Sequence, residues 1–254
     1  MNNKFTILTA SSNKYPYLND WMESIVAQKY RPLEVVMVDD CSDDETRKLI
    51  KRFRKKFGEN DISFNYLRNK RRLHCSSSYR IAIANATGDF MGVLDADDML
   101  VDDAVEYIMS KYNKHEDIAW IYTQFGIYNA NMKYIKDGFC RSSAKFGSML
   151  HSGERRKQVY SHWRTFSRRC TDLSNLLPEG LRCAVDKYMG YRLEELAPGM
   201  FADRICYKYR EGVKKSVAAT EKTKHTWKGV VVEARERRNS NGLKPFPIIV
   251  HKEN

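Results

Sequence analysis

Twice in this chain a short apolar run stops abruptly at consecutive acids: Val35-Val36-Met37-Val38 before Asp39-Asp40, and Phe90 to Leu94 before Asp95-Ala96-Asp97-Asp98. An apolar run this short, entered through a turn signal such as Gly88-Asp89, reads as a buried strand. The acids then lie at strand exits, the edge at which open α/β sheets bind ligands. Three acids within four residues repel one another, and a hard cation or its hydrated phosphate ligand relieves that repulsion. Taken alone, an Asp-x-Asp triplet would equally suit a solvated turn.

The segments between these strands alternate in period. Phe5 to Thr9 reads as a first strand, and a helix from about Tyr15 to Gln28 places Leu18, Met22 and Ile25 on one face. A helix over Glu45 to Phe57, with Ser42 or Asp43 available as its cap, leads to a third strand at Ile62 to Leu67. Strands joined by helices in this order predict a parallel sheet. Further along, the pattern predicts a helix over Asp102 to Tyr112, a strand at Ile118 to Thr123 and a hairpin over Phe125 to Ile135. Lys136 to Gly153 has little periodicity and reads as a mobile lid. Ala184, Tyr188, Tyr191 and Leu196 share one helical face, with Asp186 in the first turn, where an acid favours the helix dipole.

With 254 residues, 42% of them hydrophobic, the chain has ample material for a core. The six cysteines show neither a C-x-x-C pair nor zinc-type spacing, so free thiols are expected. The one G-x-S-like stretch, Phe146-Gly147-Ser148, lacks its closing glycine, and no nucleophilic triad emerges. No apolar run approaches a membrane span, and Met1-Asn2-Asn3-Lys4 leads directly into a strand, which together predict a cytoplasmic protein. The net charge of +12 suits either a polyanionic partner or simple solubility. Basic clusters fall at Arg52 to Lys56, Arg68 to Arg72, Arg164 to Arg169 and Thr223 to Arg238.

The stretch Ala86 to Asp98, preceded by the Arg-bearing segment Ser78 to Asn85, resembles the family 2 glycosyltransferases of the GT-A fold, whose signature is A-x-G-[DE]-[YF], an apolar strand and D-A-D-D. Glu34 to Thr46 resembles the family's acid-capped second strand, with Cys41 where relatives carry glycine. The resemblance implies an α/β fold, Rossmann-like, with a mixed, mostly parallel sheet flanked by helices over residues 1–216 and a basic C-terminal extension over 217–254. It implies a nucleotide-diphospho-sugar donor contacted by Thr9, Ser11, Asp39, Asp40, Arg80, Asp95, Ala96, Arg210 and Lys215, with Mn2+ or Mg2+ on Asp97. Thr9-Ala10-Ser11 stands where the family has P-x-Y-N.

In the second half, Cys183 to Leu196 resembles the family's acid-bearing helix, with Tyr188 replacing the second acid. The resemblance makes Asp186 the general base of an inverting enzyme, because a sugar hydroxyl is a poor nucleophile until a carboxylate accepts its proton. His162, Arg164 and Arg192 are carried over as acceptor or phosphate contacts. The expected acceptors are a glycan, an envelope polymer or hydroxylated-cytosine phage DNA, the last with Trp163 or Trp227 as a base-flipping wedge. A noncatalytic nucleic-acid-binding module on the same scaffold is the rival reading.

Overall fold

The computed structural model describes residues 3–143, 146–155, 159–173, 176–213 and 221–252. The first half alternates as the pattern predicts. In order come β1 (Phe5–Ser11), a 3-10 turn (Tyr15–Tyr17), α1 (Leu18–Val26), β2 (Leu33–Asp39), α2 (Thr46–Gly58), β3 (Ile62–Arg68), α3 (His74–Asn85) and β4 (Phe90–Val93). The chain continues through β5 (Met99–Leu100), α4 (Ala104–Lys114), β6 (Trp120–Tyr128), β7 (Tyr134–Asp137), α5 (Met149–Glu154), β8 (Arg164–Ser167) and α6 (Arg168–Leu173). It ends with α7 (Val185–Leu196), β9 (Gly199–Arg210), α8 (Glu221–Asn241) and β10 (Ile248–Lys252).

The strands form one sheet in the order β10-β9-β6-β8-β4-β1-β2-β3, with β5 beside β9 and β7 beside β6. β1 is parallel to both neighbours, and every residue of β2 is buried, as expected for strands covered on both faces. β8 runs antiparallel between β4 and β6, pairing Val93 with Arg164 and Tyr122 with Arg164. Gly92 leaves the room that Trp163, just before β8, fills: a Cβ on Gly92 would lie 2.8 Å from both Phe5 Cζ and Trp163 Cζ2. Trp163 is therefore a core residue with no exposed surface, which excludes it as a base-flipping wedge.

Other expectations are adjusted. The strand expected at Ile118 to Thr123 and the first arm of the hairpin are one continuous strand, β6, bent by register shifts around Gln124. The Gln124 side chain donates to the Cys140 carbonyl and accepts from its amide, filling the gap the shift leaves. The expected lid over 136–153 is largely anchored, since Cys140, Ser143, Met149 and Leu150 are buried; residues 144 and 145 lie outside the described residues. Neither Ser42 nor Asp43 caps α2; Asp44 Oδ1 accepts from the Thr46 amide instead. In the C-terminal segment, β10 pairs with β9 in parallel, and α8 packs on α7 through Arg238, which reaches Glu194 at 2.8 Å and Glu195 at 3.0 Å.

Candidate active site

Parallel register gathers the acids. Ser11 pairs with Asp39 and Leu8 with Val93, so the exits of β1, β2 and β4 share one edge of the sheet. Antiparallel β8 delivers Arg164 to the same edge from about seventy residues downstream of Asp95, as the Val93–Arg164 pairing requires.

Asp39 is fully buried and accepts hydrogen bonds from the Ser42 amide (2.9 Å), the Tyr66 hydroxyl (2.8 Å) and Arg68. Burial alone would raise its carboxyl, but these donors outweigh burial and hold it below the ordinary carboxylate range. Asp40 is also buried and organises backbone, accepting from the Leu73 and His74 amides and the Asn69 side chain. Between them Cys41 adopts the left-handed conformation, φ 57°, that the family's glycine would supply freely. Thr9 is occupied within the core, donating to the Leu94 carbonyl and accepting from the Trp21 indole. The buried Ser11 hydroxyl has no hydrogen-bond partner among the described residues.

Asp95 is held from two sides, by the Tyr79 hydroxyl at 2.5 Å and by Arg164 at 3.4 Å. Its carboxyl lies below the ordinary range: burial opposes ionisation, and Arg164, His162 and Tyr79 overcome it. Ala96 is buried beneath the turn. Asp97 forms an ion pair with Lys14. Asp98 is turned inward, accepting from the Tyr207 hydroxyl at 2.7 Å and from the Arg210 amide at 2.7 Å. Burial, together with Asp97 and Asp95, pushes the Asp98 carboxyl well above its usual range.

His162 stacks on Tyr207 with ring centroids 4.5 Å apart, and its Nδ1 has no partner among the described residues. Burial, reinforced by Arg164, pushes its imidazole down to about 4, so the ring is neutral near pH 7. Asp95, Asp98 and His162 present ligand atoms within 4.8 Å of one another. These two carboxylates and the imidazole are a donor set that fits a divalent cation such as Mn2+, whereas Asp97, the residue the resemblance assigned to the cation, is not among them and pairs with Lys14.

A cleft of about 210 Å3 opens beside these groups, lined by Tyr79, Asp95, His162, Arg164, Cys75 and Asp186, among others. Asp186, in the first turn of α7, is half-buried, and among the described residues nothing hydrogen-bonds its carboxylate.

Three arginines carried over from the resemblance are engaged elsewhere. Arg80 reaches the Leu177 carbonyl and Glu179, and Arg192 pairs with Glu195 at the far end of α7. Arg210 donates to the Asp97 carbonyl, the Ala130 carbonyl and Asp20, which makes it a tie between three segments. Lys215 lies outside the described residues. Tyr79, Tyr207 and Lys14 are the site's unforeseen members, and of these Tyr79 was detectable: its position next to Arg80 puts it about 100° around α3, on the buried face.

A family model described as "Glycosyl transferase family 2" matches residues 6–194. The chain is 26% identical over 246 residues to the chondroitin synthase of Escherichia coli, covering 96% of this chain but 34% of that protein, about a third of its length. Its fold is similar to that of S. aureus TarS 1–349 in complex with UDP-GlcNAc, with a TM-score of 0.68 and 16% identity over 93% of this chain and 73% of that one. The mannosyltransferase PcManGT of Pyrobaculum calidifontis, in complex with GDP-Man and Mn2+, aligns with a TM-score of 0.56 at 13% identity, covering 95% and 64% of the two chains. These likenesses identify the sheet as the GT-A fold, and the family match runs through both acidic strand ends and reaches Asp186, so the chain belongs to glycosyl transferase family 2 and is a glycosyltransferase.

Proposed function

We propose that the enzyme transfers a sugar from a uridine-diphosphate-type donor to a hydroxyl of a glycan acceptor, with inversion, using Asp186 as general base. The observation that carries this reading is that Asp186 and Asp95 line one cleft, with the Asp186 carboxylate uncommitted among the described residues. A base must be within hydrogen-bond reach of the proton it takes, and a carboxylate already saturated with donors would be a poor one. Asp186 accepts the acceptor hydroxyl's proton while its oxygen attacks the anomeric carbon from the face opposite the departing diphosphate. Arg164 and Tyr79 fix Asp95 toward the donor. Ser11, with its free buried hydroxyl, and Asp39, with Tyr66 and Arg68, form the pocket for the base and ribose. Asp95, Asp98 and His162, which cluster, would hold the divalent cation, with Asp97 of the same turn as the position the resemblance implies; when bound the cation supplies Lewis-acid neutralisation of charge on the leaving diphosphate.

The glycan acceptor is favoured over DNA by where the arginines point. Arg164 is bound to Asp95, Arg168 to the Gly88 and Ala86 carbonyls, and Arg169 to the Asp117 carbonyl. On α8, Arg235 pairs with Glu154, and Arg237 with Glu195. The arginines of the Arg164 to Arg169 cluster and two on α8 are thus engaged in pairings within the protein, while Arg52, Arg54, Lys55, Lys70, Arg71 and Arg72 of the other clusters are exposed. The similarity to a chondroitin synthase and the UDP-GlcNAc in complex with TarS support the same choice.

The test is product analysis by mass spectrometry with a panel of nucleotide sugars and oligosaccharide acceptors, comparing wild type with Asp186→Asn. The variant is expected to bind UDP as wild type does and to turn over roughly a hundredfold more slowly, the scale of a lost general base. Near wild-type turnover removes Asp186 from the mechanism. Transfer to hydroxymethylated duplex DNA, with binding that weakens as salt rises, would replace the glycan by DNA.

A further inference from the structure

The exposed side of α2 is a row of cations. Seven of its thirteen residues are lysine or arginine and none is acidic, while the opposite side carries the buried Leu49, Phe53 and Phe57, the last packed on Phe64 of β3 with ring centroids 5.0 Å apart. At 100° per residue, Arg54, Arg47, Lys51, Lys55 and Lys48 fall within about 120° of the helix circumference, and the row from Arg47 to Lys55 runs about 12 Å along the axis. All five are exposed, and Arg47, Lys51 and Arg54 have no hydrogen-bond or ion-pair partner among the described residues. Acids border the row without interrupting it: Glu45 pairs with Lys48, Glu59 with Lys55 at 3.8 Å, and Glu23 of α1 with Lys56 at 3.9 Å, and Asp43 lies three residues ahead of the helix.

The row continues past the start of the helix. β2 and β3 are parallel, with Asp39 opposite Arg68, so the loop after β3 emerges beside the segment that enters α2, and the Cys41 thiol donates to the Lys70 carbonyl at 3.8 Å. That loop adds Lys70, Arg71 and Arg72, all exposed. β3 is the last strand of the sheet, three places from β4, which puts this face about 14 Å by strand spacing from the strand whose exit carries Asp95. A partner seated on this flank need not cover the cleft.

We propose that α2 and the loop of Lys70, Arg71 and Arg72 seat the enzyme on an anionic lipid surface, with phospholipid headgroup phosphates as the ligands. This is independent of the roles proposed for the cleft. Each lysine or arginine brought close to such a surface gains from its negative potential, and the gains add along a row. No large apolar side chain of α2 is exposed, so the contact stops at the headgroups and is weakened by salt. A membrane fits the face better than a nucleic acid does. The row stands on the convex side of one helix, and Phe53, Phe57, Phe64 and Tyr66 of α2 and β3 are buried or half-buried, so a single strand finds no exposed ring there on which to stack its bases. A plane of headgroups needs only the charge.

The experiment is co-sedimentation of the full chain with vesicles of phosphatidylcholine alone and of phosphatidylcholine and phosphatidylglycerol in equal parts, over a salt series. Wild type is compared with a variant combining Arg47→Gln, Lys51→Gln and Arg54→Gln and with a second, off the helix, combining Lys70→Gln and Arg71→Gln, each checked for native circular dichroism. Wild type is expected to bind the phosphatidylglycerol vesicles alone and to be released as salt rises. With each cation near an anionic surface worth about fivefold, the helix variant is expected to bind roughly a hundredfold more weakly and the loop variant roughly twentyfold more weakly. Failure of wild type to bind the anionic vesicles at low salt, equal binding to both kinds of vesicle, or a natively folded variant of either kind that binds as well as wild type overturns the proposal. Labelled duplex DNA that is bound more tightly than the anionic vesicles at the same salt, and displaces them, also overturns it and gives the face to nucleic acid.

Discussion

Arg210 separates two readings that sequence alone does not. The resemblance makes it a clamp on the diphosphate, whereas its geometry makes it a structural tie: its side chain is 3% exposed, it hydrogen-bonds the carbonyls of Asp97 (2.8 Å) and Ala130 (2.6 Å) and the Asp20 carboxylate (2.7 Å), and its guanidinium lies 5.1 Å from the Tyr17 ring centroid. Arg210→Met keeps most of the aliphatic stem and removes all of these. Three hydrogen bonds at about 1 kcal/mol each, with about 0.5–1 kcal/mol for the cation over the ring, amount to about 3.5–4 kcal/mol. Leaving two carbonyls short of a partner pushes the cost up, while the half-exposed Asp20 loses little when released to water. Urea denaturation should therefore show a large drop in midpoint at an unchanged slope, because stability falls without a change in the surface exposed on unfolding. UDP affinity, measured where the variant is still folded, should fall only as far as the Asp97 turn loosens. A loss of stability under about 1 kcal/mol, combined with a collapse of UDP affinity, would refute the structural tie and restore the clamp.

Two further outcomes are expected. Asp39 has a depressed carboxyl in the fold, so its contribution to stability is fully present above its ordinary value of 3.8 and is lost as pH falls through the lower folded value. Asp39→Asn should accordingly be less stable than wild type at neutral pH, and the deficit should narrow in acid-unfolding curves below about pH 4; a deficit that does not depend on pH would contradict the ionised, hydrogen-bonded state. Cys41 sits at φ 57°, where a left-handed L-residue costs about 1–2 kcal/mol. After allowing about 0.5–1 kcal/mol for glycine's greater freedom in the unfolded chain, Cys41→Gly should raise stability by up to about 1.5 kcal/mol in thermal or urea unfolding, and a loss would show that the thiol's packing matters more than the backbone.

The nucleotide half was legible because its information is local. Each of its strands is a contiguous apolar run, the acids follow immediately, and a parallel register of strand ends is enough to bring Asp39 and Asp95 together. The second half was harder to read, because its chemistry depends on pairings remote in sequence. Nothing near Arg164 reveals that β8 will run antiparallel to β4 and set the guanidinium against Asp95. Arg80 and Arg210 were motif positions with the expected residue type, yet the first turns toward Glu179 and the second is consumed by Asp20 and two carbonyls. Lys14 carried no signal, since a lysine in a polar loop looks like any solvated charge until the fold closes over it.

The antiparallel placement of β8 has a consequence for the order in which the molecule can be assembled. β4 and β6 do not touch as neighbours; the four residues of β8 are the seam between them. Of the sheet pairings, those available to the chain up to residue 163 are the parallel ones among β3, β2, β1 and β4 and the β6–β7 hairpin. The first of these groups already contains Asp39, Asp95 and Asp97 and has local, in-order pairings that close early, whereas Asp186 joins only after the seam is sewn. On the proposed assignment of roles, the acids of the donor side are thereby gathered within the β3-β2-β1-β4 part of the sheet, and Asp186 is brought to them only across the long-range β8 pairing.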